Sequence, residues 1–91
     1  MKQTLNQDDH PVAWSLWMDE LCDAHEHLGK LIQDMTDAGS IDEADFGIDL
    51  GHVFAHLNRA WHSRDDPQLD NISQANFQKR SQYPTDLDPV G

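Results

Sequence analysis

His52 and His56 stand four residues apart in a stretch whose apolar residues recur with helical spacing, and Asp49 precedes His52 by three. One side of a helix can therefore carry all three side chains. Imidazole nitrogens and a carboxylate at this spacing suit a divalent transition metal, with the ligand set completed from a neighbouring helix. His25 is the residue that an antiparallel neighbour brings level with this pair, so the candidate metal ligands are His25, Asp49, His52 and His56. The Glu-x-x-His pattern that marks di-metal four-helix bundles is missing. The primary expectation is accordingly no cofactor, with His25 serving as a hydrogen-bonded imidazole at the core, and a metal centre is the alternative.

A second group of residues is electrostatic. Asp19, Glu20, Asp23, Glu26, Asp34 and Asp37 fall on the outward side of the first amphipathic stretch, relieved by His27 and Lys30. Asp34, Asp37, Asp42, Glu43 and Asp45 then crowd the turn that follows, and Asp34 and Asp37 lie at the negative end of a helix dipole, where acids are unfavourable. A solvated face explains such acids equally well; the functional reading is a docking surface for a basic protein partner. Catalysis finds no foothold. There is no glycine-rich phosphate loop or nucleophile elbow, and Cys22 sits mid-helix among Asp19, Asp23 and Glu26, a setting that does not activate a nucleophile. The chain reads as a non-enzyme.

The balance of charge agrees. Six Lys and Arg oppose 17 Asp and Glu in 91 residues, a net charge of −11, which argues against direct nucleic-acid binding because the phosphate backbone is itself a polyanion. No run approaches the roughly 20 apolar residues of a membrane span. The first residues lack the apolar core of a secretion signal and the single cysteine cannot form an internal disulfide, so the expected setting is the reducing cytoplasm.

The elements that must position these residues follow from periodicity. Trp14, Met18, Leu21, His25, Leu28, Ile32 and Met35 alternate in steps of four and three, predicting a helix over about 11–38, with Asp8 or Asp9 as its cap, Pro11 in its first turn and Gly39 closing it. Ser40 and Glu43 form a capping-box pattern that opens a second helix, about 41–64, with a seam of Phe46, Leu50, Val53, Leu57 and Ala60. So short a connection forces an antiparallel hairpin. Partners across it have positions summing to about 79, which sets His25 between His52 and His56 and gathers Trp14, Trp17 and Trp61 at the open end.

The expected architecture is thus all-α: an N-terminal arm (1–10), the hairpin (11–64), and an irregular, polar, proline-containing tail (65–91). A two-helix hairpin cannot cover its own apolar surface. A homodimer forming a four-helix bundle would do so, and this is the preferred expectation; the alternative cover is the tail, through Leu69, Ile72, Phe77, Tyr83, Leu87 and Val90. The resulting functional expectation is a small acidic interaction or regulatory protein docking a basic partner, against a metal-binding bundle as the alternative.

Overall fold

The computed structural model describes residues 3–91, which contain three α-helices, one 3₁₀ turn and no strand. Helix α1 (Pro11–Ala38) and helix α2 (Glu43–His62) are the two long elements and pack against each other. Gly39 ends α1 in the left-handed conformation at φ 71°, where its amide bonds back to the Met35 carbonyl at 2.8 Å. Only glycine adopts this geometry without a Cβ penalty, so the sharp reversal depends on it. The cap of α2 is Asp42 rather than Ser40: its carboxylate accepts the Ala44 amide at 2.8 Å, and the negative charge also suits the helix N-terminus. Neither Asp8 nor Asp9 caps α1. Asn6 and Asp9 instead bond to each other across a turn, and His10 occupies the cap position without a side-chain bond.

The helices meet along a seam rotated by one residue from the expected one. In α1 the row along the contact is Trp17, Glu20, Ala24, His27 and Leu31, in which Trp17, Glu20 and His27 meet α2 and Ala24 and Leu31 are buried, while Ala13, one turn earlier, is buried with Leu5 and Leu69. Met18, Leu21, Leu28 and Ile32, from the expected seam, are exposed, and Ile32 keeps 57% of its surface open. In α2 Val53 and Ala60 are buried as expected, but Leu57 turns outward and His56 and Arg59 turn in. Both rows of α1 step by four and three, so period alone does not choose between them. The contacts across the seam do: the Trp17 indole donates to the Ala60 carbonyl, the Glu20 carboxylate meets Arg59 and His56, and the His27 ring lies against His52.

Residues 65–91 do not form a structureless tail. A 3₁₀ turn (Leu69–Asn71) packs on α1, and a third helix, α3 (Gln74–Arg80), packs on α2. Ser73 caps α3 by accepting the Asn76 amide. Leu5, Ala13 and Leu69 make a small core with Trp14, Leu16, Trp17 and Ile72 around it, so the N-terminal arm and the C-terminal segment jointly close the open end of the hairpin. Leu5 is tied there by its amide, which donates to the Arg64 carbonyl at 2.8 Å. Burying its side chain contributes about 1.5–3 kcal/mol.

The tryptophans divide rather than cluster. Trp14 and Trp17 meet edge to face at 5.5 Å, and the Trp17 indole donates to the Ala60 carbonyl across the seam. Trp61 faces the C-terminal segment, bonding Asp86 through its indole N–H and lying under the Arg64 guanidinium. The N-terminal arm and the C-terminal segment cover the open end of the hairpin, while Met18, Leu21, Leu28 and Ile32 of α1 stay exposed. Tyr83 lies edge-on to Phe54, whereas Val90 remains fully exposed.

Candidate functional site

Three imidazoles converge at the middle of the seam: His27 from α1, and His52 and His56 from successive turns of α2. The His27 and His52 ring centres are 4.1 Å apart, His52 and His56 are 5.0 Å apart, and His27 and His56 are 5.3 Å apart. One nitrogen from each ring lies within 4.8 Å of one from each of the others. Tetrahedral Zn²⁺ with Zn–N bonds of about 2.0–2.1 Å would hold its nitrogens about 3.3 Å apart. The rings are tilted or nearly parallel, so ligation requires them to rotate about χ2 until the nitrogens share a centre. His52 is exposed and His27 half-buried, which leaves these two free to do so.

His56 is the fixed member. Its side chain keeps only 10% of its surface exposed, and its Nε2 is buried without a hydrogen-bonding partner. The opposite nitrogen, Nδ1, lies 3.0 Å from Glu20 Oε1 and 3.1 Å from Arg59 Nη2. Arg59 in turn pairs with the other Glu20 oxygen through Nε and donates from Nη1 to Ser81 Oγ at 2.8 Å. A histidine whose far nitrogen is held by a carboxylate is the arrangement by which metal-bound imidazoles are oriented and made more basic. Glu20 and Asp23 also approach His56 closely enough to suggest a carboxylate-rich cation site. The Arg59 guanidinium, already paired with Glu20, puts a fixed positive charge there and disfavours a second cation.

The surroundings set the protonation of the exposed ring. Partial desolvation, followed by the neighbouring His27, His56 and Arg59, holds the His52 imidazole below its ordinary 6.5, against the opposing pull of Asp49. Folding thus disfavours protonated His52. Its contribution to stability is complete above about pH 6.5 and diminishes as the pH falls below that value. An NMR titration of the metal-free protein is expected to place the His52 midpoint below 6.5, and Asp49→Asn should lower it further. A midpoint above 6.5 in the parent chain would contradict this account of the cluster.

The sequence-based candidates are partly regrouped. His52 and His56 come together as expected. His25 points to solvent because the seam runs through Ala24, and a one-residue step turns a helix by 100°, carrying His25 away from the pair. Asp49 is exposed and lines a cavity of about 100 Å³ with His27, Lys30, Leu31, Asp34 and His52, beside the three imidazoles rather than among them. His27 and Glu20, assigned by spacing to the solvent face, are the residues that complete the site. Their row, Trp17, Glu20, Ala24, His27 and Leu31, repeats in the same steps of four and three as the expected one, so spacing carries no signal that singles it out.

At the hairpin tip Asp34, Asp37, Asp42, Glu43 and Asp45 are all exposed. Three of them have local partners: Lys30 bonds Asp34, Gln33 bonds Asp37, and Asp42 caps α2. The Lys30 ammonium lies 2.8 Å from Asp34 and partly offsets the acids of the tip. An open cleft of about 420 Å³ runs between Asp34, Met35, Ile41, Asp45 and Ile48. None of the helices among the described residues is long and apolar enough to cross a membrane. No family model, curated protein or solved structure matches this chain.

Proposed function

We propose that this protein is a small metal-binding helical hairpin that holds one divalent transition ion, with Zn²⁺ as the reference species, on His27, His52 and His56. The observation that carries the reading is the His56 ring: a buried nitrogen with no partner, on an imidazole stacked with two others and held from behind by Glu20. A buried polar atom left unsatisfied costs about 1–3 kcal/mol, and an ion at Nε2 would remove that cost. Imidazole ligands suit Zn²⁺, Cu²⁺ and Ni²⁺ and do not suit Mg²⁺ or Ca²⁺. Three protein ligands would leave a fourth position to water or another small donor. The role is one of binding rather than catalysis.

The acidic tip supports a second reading, in which a basic protein partner docks on Asp34, Asp37, Asp42, Glu43 and Asp45. The favouring observations are their common exposure and the chain's net charge of −11. Association of two copies is favoured by the exposed row Met18, Leu21, Leu28 and Ile32, which a bundle of two hairpins would cover.

Native mass spectrometry after titration with Zn²⁺ tests the principal reading and reports the number of chains in the same spectrum. One ion per chain is expected, lost in His56→Gln and weakened in His27→Gln and His52→Gln. Failure of the parent protein to retain an ion, or equal retention by His56→Gln, would overturn the assignment.

A further inference from the structure

Resting on the reading that two copies associate, we infer that the contact is made by one uncharged face of the hairpin, with α1 of one copy antiparallel to α1 of the other and His25 near the two-fold axis. Leu21 and Leu28 follow Glu20 and His27 by one residue, and Leu57 follows His56. A one-residue step turns a helix by about 100°, which carries all three leucines away from the imidazole side of the hairpin to its opposite side. The register set by Glu20 with Arg59 and by His27 with His52 brings Leu57 close to the level of Leu21. These leucines are exposed, as are Met18, His25 and Ile32.

The charge distribution selects a second copy as the occupant. Every Asp and Glu of α1 falls outside the row Met18, Leu21, His25, Leu28 and Ile32, although the chain carries 17 of them. This face gives a basic partner no countercharge to dock on, whereas an identical uncharged face is complementary to it. The spacing is also self-complementary. Met18 and Ile32 lie seven residues to either side of His25, Leu21 lies four before it and Leu28 three after. In a two-fold contact each pairing occurs twice, so His25 near the axis sets Met18 against Ile32 of the partner subunit and Leu21 against Leu28 of the partner subunit. His25 then meets its own copy. Neutral imidazole carries one donor and one acceptor, so two of them satisfy each other where a purely apolar surface would satisfy neither. One polar residue within an apolar seam also fixes its register. From Met18 to Ile32 the row spans about 21 Å, and two packed helices are about 20 Å wide, giving each copy a face of roughly 400 Å². That is at the small end of specific interfaces, and it predicts a dimer that dissociates on dilution.

Sedimentation velocity of the metal-free protein, in EDTA and a thiol reductant and over about 1–500 μM, tests the pairing without involving the histidine cluster or Cys22. A monomer–dimer equilibrium with Kd on the order of 10–100 μM is expected. Leu28→Asp should weaken it at least about tenfold, since each dimer then buries two unpaired charges. The circular dichroism of that variant should match the parent, because Leu28 is exposed in the single copy. His25→Asp should weaken the dimer likewise, by opposing two carboxylates at the axis, while His25→Gln keeps a donor and an acceptor and should retain it. Ile48→Asp is the matched control: Ile48 is 71% exposed on another side of α2, so the same change there should leave the equilibrium as it is. Because each copy carries −11, raising NaCl from about 50 to 500 mM should tighten the dimer about threefold by screening their repulsion. A parent that stays monomeric throughout overturns the pairing and the reading of association together. A dimer that survives Leu28→Asp, that is lost in Ile48→Asp, or that salt weakens leaves association standing and overturns this face.

Discussion

Zn²⁺ at about 100 times its dissociation constant is expected to stabilise the protein by roughly 2.7 kcal/mol and raise Tm by roughly 10–20 °C, as a ligand confined to the native state does in a domain this small. The shift arises because no element alone presents the site: His27 comes from α1 and the His52 and His56 pair from α2, so an unfolded chain holds no preformed set of ligands. Replacing His56 by Gln should abolish it. His27→Gln and His52→Gln should each retain a fraction, since the remaining two imidazoles still bracket the buried position. His25→Gln is the informative control, because this exposed histidine should leave the shift intact. Differential scanning calorimetry with and without Zn²⁺ at pH 7.5 measures all of these. A shift that survives His56→Gln, or one that His25→Gln removes, would reassign the ligands. Repeating the titration at pH 5.5 should weaken the effect, since protons compete with the ion for the same nitrogens.

Arg59→Ala is expected to produce the largest loss of stability of any substitution outside the ligands, about 3–5 kcal/mol, because it takes the guanidinium from a largely buried carboxylate and leaves Glu20 with His56 alone. The Glu20 side chain is only 18% exposed and that of Arg59 only 9%, so solvent can compensate little. The same change removes the support under Phe77 and the donor to Ser81. Native stability is typically about 5–15 kcal/mol, so the variant should lie near the margin of folding. Pairing the change with its complement distinguishes an unpaired charge from a general packing defect. Glu20→Met combined with Arg59→Met should recover most of the loss, because two well-packed apolar side chains carry no desolvation penalty. Urea unfolding followed by circular dichroism reports each midpoint. A double variant no more stable than Arg59→Ala would show that the pair contributes mainly by positioning the surrounding residues.

The C-terminal segment shows how the fold departs from an isolated hairpin. Arg80 pairs with Asp66 at 2.8 Å and donates to Ser63, whose side chain is almost wholly buried. These contacts fold residues 63–81 back on themselves at the end of α2. With the N-terminal arm, they cover the tryptophan end of the hairpin and leave the opposite flank, through Met18, Leu21, Leu28 and Ile32, open to solvent.

The residues of the chain by themselves determine that two long helices form and fold back on each other. The recurrence of apolar residues every three to four positions, Pro11 at the start of α1 and Gly39 at its end are local signals, and each acts within one or two turns. The pairing of His52 with His56 is equally local, since residues four apart share a face whatever the helix packs against. Which face turns inward was decided only in the tertiary structure. Two rows of α1 satisfy the same period, one through Leu21, His25 and Leu28 and the other through Glu20, Ala24 and His27. The second faces α2, where the Glu20 carboxylate finds Arg59 and His56. That energy exists only when both helices are present. It converts a charge assigned to the solvent face into the support of the candidate site, and it exchanges His25 for His27. The same physics places α3: polar residues 74–80 carry little signal for burial on their own, and their helix is stabilised by docking to Arg59 and Asn58 across a distance no sequence window spans.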